Sequence, residues 1–141
     1  MKKILIINGP NLNLLGTREP QIYGEKGFDS VLEQLRVEFP SIQIDYLQSN
    51  HEGEIIDALQ QSTHKGVILN AGGYTHTSVA IRDAVSSIEV PVVEVHISNV
   101  HAREEFRKLS HVSAKAAGSI IGLGLRGYEL AITWLLKEGN S

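Results

Sequence analysis

The segment GTREPQIYGEKG, residues 16–27, places an arginine and a tyrosine five positions apart among three glycines and a proline. Glycine and proline disfavour helix and strand, so the segment is predicted to be a loop. Such a loop contributes little to a hydrophobic core. Tyr23 is almost entirely protonated at pH 7, and it can act as a base only if a cation such as Arg18 lowers its pKa. Solvent screens an exposed pair, so this chemistry requires the loop to close over a dry site. A surface tyrosine beside a solvated arginine is the alternative.

A candidate acid lies at the end of an apolar, β-branched run. His96 closes that run, and Glu94 stands two positions before it. Residues i and i+2 share one face of a strand, so the carboxylate can hold one ring nitrogen and leave the other for general acid catalysis. A histidine that is simply hydrogen-bonded at a strand end is the alternative.

The segment Tyr74-Thr-His-Thr-Ser78 follows two glycines and is predicted to open a helix. Free backbone N–H groups at a helix start favour an anion, and His76 adds a hydrogen bond or a charge. Plain helix capping explains the same residues. Asp83 stands seven positions after His76 and is predicted to share its helix face, where a solvated carboxylate is the plain interpretation.

Basic residues recur four positions apart in the segment HAREEFR, at Arg103 and Arg107. The two guanidinium groups could face an anion together. A solvated charged stripe is the more common reason for this spacing, so the sequence leaves both interpretations open.

Two familiar spacings do not support a cofactor. The segment Gly122–Gly127 fits the pattern G-x-G-x-x-G, but it follows the last predicted strand, and too little chain remains for a second strand with its acidic residue. The six histidines show no H-E-x-x-H or comparable ligand spacing, so no catalytic metal is expected.

The composition is that of an ordinary globular protein, with 42% hydrophobic and 21% charged residues and a formal net charge of -3. No basic field is available to hold nucleic acid or an anionic membrane, so neither is expected as a partner. Cysteine is absent, which excludes disulfides and is compatible with a reducing compartment. The apolar run Ile4–Ile7 is too short for a signal-peptide core or a membrane span, and we expect a cytoplasmic location.

Strand-like runs alternate with amphipathic segments along the chain. The helices are predicted to begin at a cap at Asp29, at Glu52 and at Gly127, and the first to carry Phe39 and end at Pro40. The predicted strands are Lys3–Ile7, Ile42–Leu47, Gly66–Asn70, Val90–His96 and Ala117–Leu123. Repeated βα units predict one α/β domain over residues 1–141, a flavodoxin-like three-layer sandwich whose five-stranded parallel sheet has the order 2-1-3-4-5.

This architecture indicates where a ligand binds, because open α/β sheets bind ligands beyond the carboxyl ends of their strands. Four predicted strands run into polar residues, beginning at Asn8, Gln48, Asn70 and Glu94. The longest loop, residues 8–27, follows the first strand and is placed to close over this edge.

Taken together, four segments closely resemble the type II 3-dehydroquinate dehydratases of the shikimate and quinate pathways. They read NGPNLNLLGTREPQIYG from Asn8, YTHTSVAIRD from Tyr74, EVHISN from Glu94 and AREEFR from Ala102. The segments are long, ordered and separated, and the resemblance spans essentially the whole chain.

The resemblance implies anti elimination of water from 3-dehydroquinate through an enolate, which gives 3-dehydroshikimate for aromatic amino acid biosynthesis. By resemblance, Tyr23 removes a proton from the carbon next to the ketone with help from Arg18, and a water held near Asn11 stabilises the enolate. His96, oriented by Glu94, then protonates the leaving hydroxyl.

The resemblance also implies how the substrate is held. Asn70, His76 and Arg107 are expected to bind its hydroxyls and carboxylate, and Ile97 and Ser98 to add main-chain or hydroxyl contacts to the carboxylate.

Assembly and cofactors follow from the same resemblance. It implies a homododecamer built from four trimers, in which Asp83 reaches into a neighbouring subunit's site. No metal, nucleotide or other cofactor is expected.

A flavodoxin-like binding or signalling module is the rival interpretation. A flavin site requires a hydroxyl-rich phosphate loop after the first strand, and a phosphoacceptor site requires acidic residues there. The segment Asn8–Asn11 offers few hydroxyls and no acid. An enzyme for another small hydroxylated acid, with the same site residues, is a second rival.

Overall fold

In the residues that the structure describes, five parallel strands form one sheet in the order β2-β1-β3-β4-β5, which confirms the predicted topology. This computed structural model describes residues 1–15 and 27–138. The strands are β1 (Lys2–Asn8), β2 (Ile42–Gln48), β3 (Gly66–Asn70), β4 (Val92–His96) and β5 (Gly118–Ile121). The chain reverses its direction of travel across the sheet between β1 and β3, and the carboxyl ends of both strands lie at this switch.

Helices cover both faces of the sheet, which confirms the three-layer sandwich. They are α1 (Phe28–Glu38), α2 (Glu52–Gln61), α3 (Val79–Ser87) and α4 (Arg126–Glu138). Alternate residues of β1 point to opposite faces, so Ile4 and Ile6 pack with α1 and α4, whereas Leu5 and Ile7 pack with α2 and α3. Both faces are therefore apolar, as the continuous hydrophobic runs predict.

Two strands are shorter than predicted, for local backbone reasons. β4 begins at Val92 because Pro91 has no N–H to donate, although its carbonyl still accepts a hydrogen bond from Val67. β5 ends at Ile121 because Gly122 adopts a positive φ of 84°, which turns the chain out of the sheet.

The first helix begins earlier than predicted. Gly27 stands at its N-cap position, and Asp29 lies in the first turn rather than at the cap, where its charge still complements the helix dipole. The helix ends at Glu38, so Phe39 is its C-cap residue, although its side chain still packs against the core that the helix covers.

The segment after β3 is built differently from the predicted helix. A 3₁₀ helix covers Gly72–His76, and α3 begins only at Val79, after Ser78 accepts a hydrogen bond from the Ile81 N–H as N-cap. His76 and Asp83 therefore belong to different helices. The prediction that they share one helix face is wrong, because the seven-residue spacing has that meaning only within a continuous α-helix.

The described part of the chain has three further 3₁₀ helices at the carboxyl edge of the sheet: Leu12–Leu14, Val100–Ala102 and Glu105–Lys108. Within residues 1–15 and 27–138, none of the helices is long and apolar enough to cross a membrane.

The first loop packs so closely on β3 that it needs a glycine. A Cβ at Gly9 would lie 2.4 Å from the backbone oxygen of Ala71, and the Gly9 N–H donates to Asn70 at 2.7 Å. We expect Gly9→Ala to lower the free energy of unfolding by about 1–3 kcal/mol, because neither backbone can yield cheaply. Urea unfolding measured by circular dichroism checks this.

Gly53 provides the matched control, because nothing lies within 4 Å of a Cβ at this exposed position in α2. Gly53→Ala should raise the free energy of unfolding by about 0.5–1 kcal/mol, since alanine favours helix over the unfolded chain. Equal effects of the two substitutions would contradict the close-packing argument.

Candidate active site

A cavity of about 240 Å³ opens at the carboxyl edge of the sheet, where β1, β3 and β4 end. Its size suits a small molecule rather than a polymer. Seven of the predicted site residues line it together, although they are far apart in the chain: Asn11, Asn70, His76, His96, Ile97, Ser98 and Arg107.

The contact that the strand spacing predicts between Glu94 and His96 is present. The Nε2 of His96 lies 2.8 Å from Oε2 of Glu94, and the two residues are 6% and 1% exposed. Glu94 lies behind the ring, away from the cavity lining, so it contacts the histidine and not a ligand.

Glu94 is ionised at neutral pH despite its burial. Burial alone would raise its pKa, but hydrogen bonds from His96, Ser110, Ser113 and Ser119 together lower the pKa to about 2. A carboxylate only accepts hydrogen bonds, so Nε2 of His96 carries a hydrogen. Nδ1 is then the ring nitrogen that remains to exchange a proton with a ligand.

The second histidine of the cavity is also fixed in one tautomer. The Nδ1 of His76 lies 2.7 Å from the backbone oxygen of Leu109, which can only accept, so this nitrogen carries the hydrogen. The rings of His76 and His96 stack with centroids 6.4 Å apart. The two imidazoles therefore border the same part of the cavity.

Two arginines add positive charge to the cavity. Arg107 donates through Nε to Glu104 at 3.0 Å, and Arg103 donates through Nη1 to Ser98 at 3.3 Å. Each of these bonds uses one of five guanidinium donors, so donors remain for an anionic ligand. The two arginines follow or lie in separate 3₁₀ helices, so their spacing is not a solvated stripe of one α-helix. The pattern HAREEFR was the signal for Arg103, which the predicted set of substrate contacts omits.

A buried polar network fixes the Asn70 side chain. Its Nδ2 donates to the Tyr128 hydroxyl at 3.0 Å, its Oδ1 accepts from the Gly72 N–H at 3.2 Å, and Tyr128 donates to Asn8 at 2.7 Å. These hydrogen bonds assign the nitrogen and the oxygen of the Asn70 side-chain amide to their positions. Sequence reasoning missed the polar role of Tyr128, because its spacing indicated only the apolar face of α4.

The loop that carries Asn11 is held by polar groups from the end of β2. Asn11 has a positive φ of 70°, which asparagine tolerates better than most residues, and its N–H donates to Oδ1 of Asn50 at 3.0 Å. Gln48 donates to the Gly9 carbonyl at 3.2 Å. The polar end of β2 therefore supports the loop.

Three predicted site residues are not brought to the cavity by the described part of the chain. Asp83 is exposed on α3 and is not among the lining residues. Arg18 and Tyr23 lie outside the described residues, as does the rest of segment 16–26. Conversely, the cavity is lined by four apolar residues that were not predicted as site residues, because hydrophobicity alone does not indicate a binding role: Leu12, Leu14, Leu15 and Val100.

The fold is that of a flavodoxin-like α/β protein, and the carboxyl edge of its sheet holds a histidine–carboxylate pair among cationic side chains. This arrangement is typical of an enzyme that acts on a small anion. The family model described as dehydroquinase class II matches residues 2–136. The chain belongs to this family.

Individual relatives agree with the family. The chain is 52% identical over 141 residues to the 3-dehydroquinate dehydratase of Endomicrobium trichonymphae, in an alignment that covers 94% of this chain and 95% of the relative. The crystal structure of the type II dehydroquinase of Butyrivibrio crossotus matches with a TM-score of 0.90 at 46% identity, over 96% of this chain and 97% of that one.

A two-component response regulator from Clostridium difficile matches over 100% of both chains, but with a TM-score of 0.55 and 17% identity. This likeness concerns the fold alone. The fold therefore does not separate an enzyme from a signalling module, whereas the family does.

Because Glu94 is ionised in the folded protein, the free energy of unfolding is expected to fall as the pH becomes acidic. Because its pKa is lowered from 4.5 to about 2, its contribution is fully present above pH 4.5 and is lost as the pH falls towards 2. At pH 7, we expect Glu94→Gln to lower the free energy of unfolding by an amount on the order of 3 kcal/mol. The difference from wild type should shrink below pH 4.5, as measured by urea unfolding across this range.

Glu89→Gln, at an exposed position, is the control and should change the free energy of unfolding by less than about 0.5 kcal/mol. A difference between wild type and Glu94→Gln that stays constant down to acid pH would show that folding does not lower the pKa of Glu94.

Proposed function

We propose that the cavity performs the reaction of its family through Tyr23 as base and His96 as acid. The activity is the loss of water from 3-dehydroquinate to give 3-dehydroshikimate, a step of the shikimate pathway. The observation that carries this proposal is the His96–Glu94 pair at a cavity lined by Asn70, His76 and Arg107 in a chain of this family.

The first step forms the enolate. Tyr23, as a phenolate next to Arg18, takes a proton from the carbon beside the ketone, and the C–H electron pair becomes the enolate double bond. A water held near Asn11 stabilises the charge on the enolate oxygen. The left-handed backbone of Asn11 and its bond to Asn50 support this assignment, because they fix the loop beside the cavity.

The second step releases water. The enolate returns its electron pair to re-form the ketone, a carbon–carbon double bond forms, and the C–O bond to the hydroxyl breaks. Protonated His96 delivers the Nδ1 proton to the departing oxygen, and anti geometry requires the base and the acid on opposite faces of the ring. The contact with Glu94 supports this role, because it occupies Nε2 and compensates the charge of the protonated ring.

Substrate binding uses the polar and cationic cavity residues. Asn70, His76 and Arg107 bind the hydroxyls and the carboxylate of the substrate, and Ile97 and Ser98 add main-chain or hydroxyl contacts to the carboxylate. The Arg103 contact with Ser98 at 3.3 Å supports a shared anion site at this end of the cavity. The proposed chemistry is complete without a metal or other cofactor, and their absence stays a prediction.

The proposed assembly is a dodecamer of four trimers, in which Asp83 serves the site of a neighbouring subunit. Its exposed position on α3, away from the lining of its own cavity, supports this proposal. The cytoplasmic location also stays a prediction, with which the absence of cysteine is compatible.

Tyr23→Phe tests the base. We expect kcat to fall by ~10²–10⁴-fold with KM nearly unchanged, because the substitution removes only the proton acceptor. The ultraviolet absorbance of the conjugated enone product measures turnover. Tyr46→Phe, at a tyrosine of β2 outside the cavity lining, should change kcat by less than about tenfold. A Tyr23→Phe rate within tenfold of wild type would reject the proposed base.

Co-expression of Asp83→Ala and Tyr23→Phe tests whether the site is shared. Each variant alone should have little activity, whereas mixed oligomers should recover activity in about a quarter of their sites, since each of two independent residues is intact about half the time. The recovery is measured by the same absorbance assay after purification of the mixed oligomer. No recovery would mean that Asp83 acts within its own subunit, and full activity of Asp83→Ala alone would mean that Asp83 has no role.

A further inference from the structure

Among the described residues, four hydrogen-bond donors surround the carboxylate of Glu94. Ser113 and Ser119 donate to Oε1, the latter at 2.7 Å. The Oγ of Ser110 and the Nε2 of His96 donate to Oε2, at 2.6 and 2.8 Å. A carboxylate offers about four acceptor positions, so each oxygen accepts two bonds and the group is saturated.

The direction of the Ser110 bond is fixed by its own backbone turn. The Ser110 oxygen accepts from the N–H groups of Val112 and Ser113, both at 3.1 Å. Its single hydrogen therefore donates to Glu94. Ser110 cannot turn to accept a proton from a neutral carboxyl without giving up this turn.

The donors come from three parts of the chain. Ser119 lies directly opposite Glu94 in the register of β4 and β5, and Ser110 and Ser113 belong to the loop that connects the last 3₁₀ helix to β5. A neutral Glu94 would have to displace one of them to place its hydrogen. This arrangement favours the anion over the neutral acid.

We infer that Ser110, Ser113 and Ser119 are positioning residues that keep Glu94 ionised throughout the reaction cycle, so that His96 alone gains and loses the proton. The inference rests on the proposed role of His96. When the protonated ring gives its Nδ1 proton to the leaving hydroxyl, the C–O bond breaks, water forms and the ring becomes neutral. Glu94 remains an anion because three neutral donors, and not the charged ring alone, stabilise it.

Without these donors, Glu94 and His96 would share one proton. A buried carboxylate stabilised only by the imidazolium competes for its proton, and the pair then titrates as a unit. The serines separate the two ionisations. In the described part of the chain, the other titratable or charged groups around the His96 ring are those that line the two cavities it borders: His76, His101, Arg103, Arg107 and Lys108.

Replacement of Ser113 and Ser119 tests the inference with a matched pair of double variants. Both serines are exposed on their outer sides, so an added methyl group can face solvent. Ser113→Thr with Ser119→Thr keeps both hydroxyls. Ser113→Val with Ser119→Val has nearly the same shape but removes both donors to Oε1. Valine is preferred to alanine because Ser110 and Ser113 border a second cavity of about 310 Å³, from which water could enter a smaller side chain's space.

The first readout is the Glu94 carboxyl resonance in protein labelled with ¹³C at glutamate side chains, assigned with Glu94→Gln and followed from pH 6 downward while circular dichroism confirms folding. We expect the valine variant to titrate at least about one pH unit above wild type, and the threonine variant to follow wild type. This readout needs no turnover. Identical titrations in the valine and threonine variants would overturn the inference.

The second readout is the pH profile of kcat for 3-dehydroquinate. The valine variant should lose about tenfold in kcat, with KM changed less than about threefold and an altered profile, and the threonine variant should recover the wild-type profile. A shifted carboxyl titration with an unaltered kcat profile would overturn the link between the serines and His96. Failure of wild type itself to convert 3-dehydroquinate would instead reject the proposed function, while the carboxyl titration still decides whether the serines keep Glu94 ionised.

Discussion

Glu94 places a negative charge inside the sheet, where it is 1% exposed. An uncompensated buried charge costs several kcal/mol, so the surrounding chain must supply donors or the carboxyl must stay neutral. Here β4, β5 and the loop before β5 all contribute donors. This edge of the sheet is thus organised around one carboxylate, which also fixes the orientation of the His96 ring.

The cavity joins side chains that separate elements hold rigidly. Asn70 ends β3 and His96 ends β4, and Arg107 lies in a 3₁₀ helix that follows β4. Parallel strands bring their carboxyl ends to one edge, so a few residues at strand ends suffice to build a polar cavity over a largely apolar core. The cationic groups then make that cavity suited to a small anion without any excess of basic residues in the whole chain.

Much of this was accessible from the sequence because the signals were local. The alternation of strand-like runs with amphipathic helical segments predicted a parallel sheet and its strand order. The i, i+2 spacing on a strand predicted the contact between Glu94 and His96. The prediction that His76 and Asp83 share one helix face was wrong, because a 3₁₀ helix and a serine cap interrupt the segment. Sequence periodicity does not reveal such an interruption. The serine donors and the Tyr128 hydroxyl could not be predicted, since their partners are distant in sequence and serine and tyrosine are common at many kinds of position.

The bond between Tyr128 and Asn8 joins residues 120 positions apart. Tyr128 also contacts Asn70, so one phenol in the last helix of the described chain connects the carboxyl ends of β1 and β3. During synthesis, β1 and β3 emerge long before α4, and contacts of such large sequence separation form late because of their loop-closure entropy. The sheet can therefore pair before the site is set, and a growing chain reaches a binding-competent Asn70 only after its last helix docks.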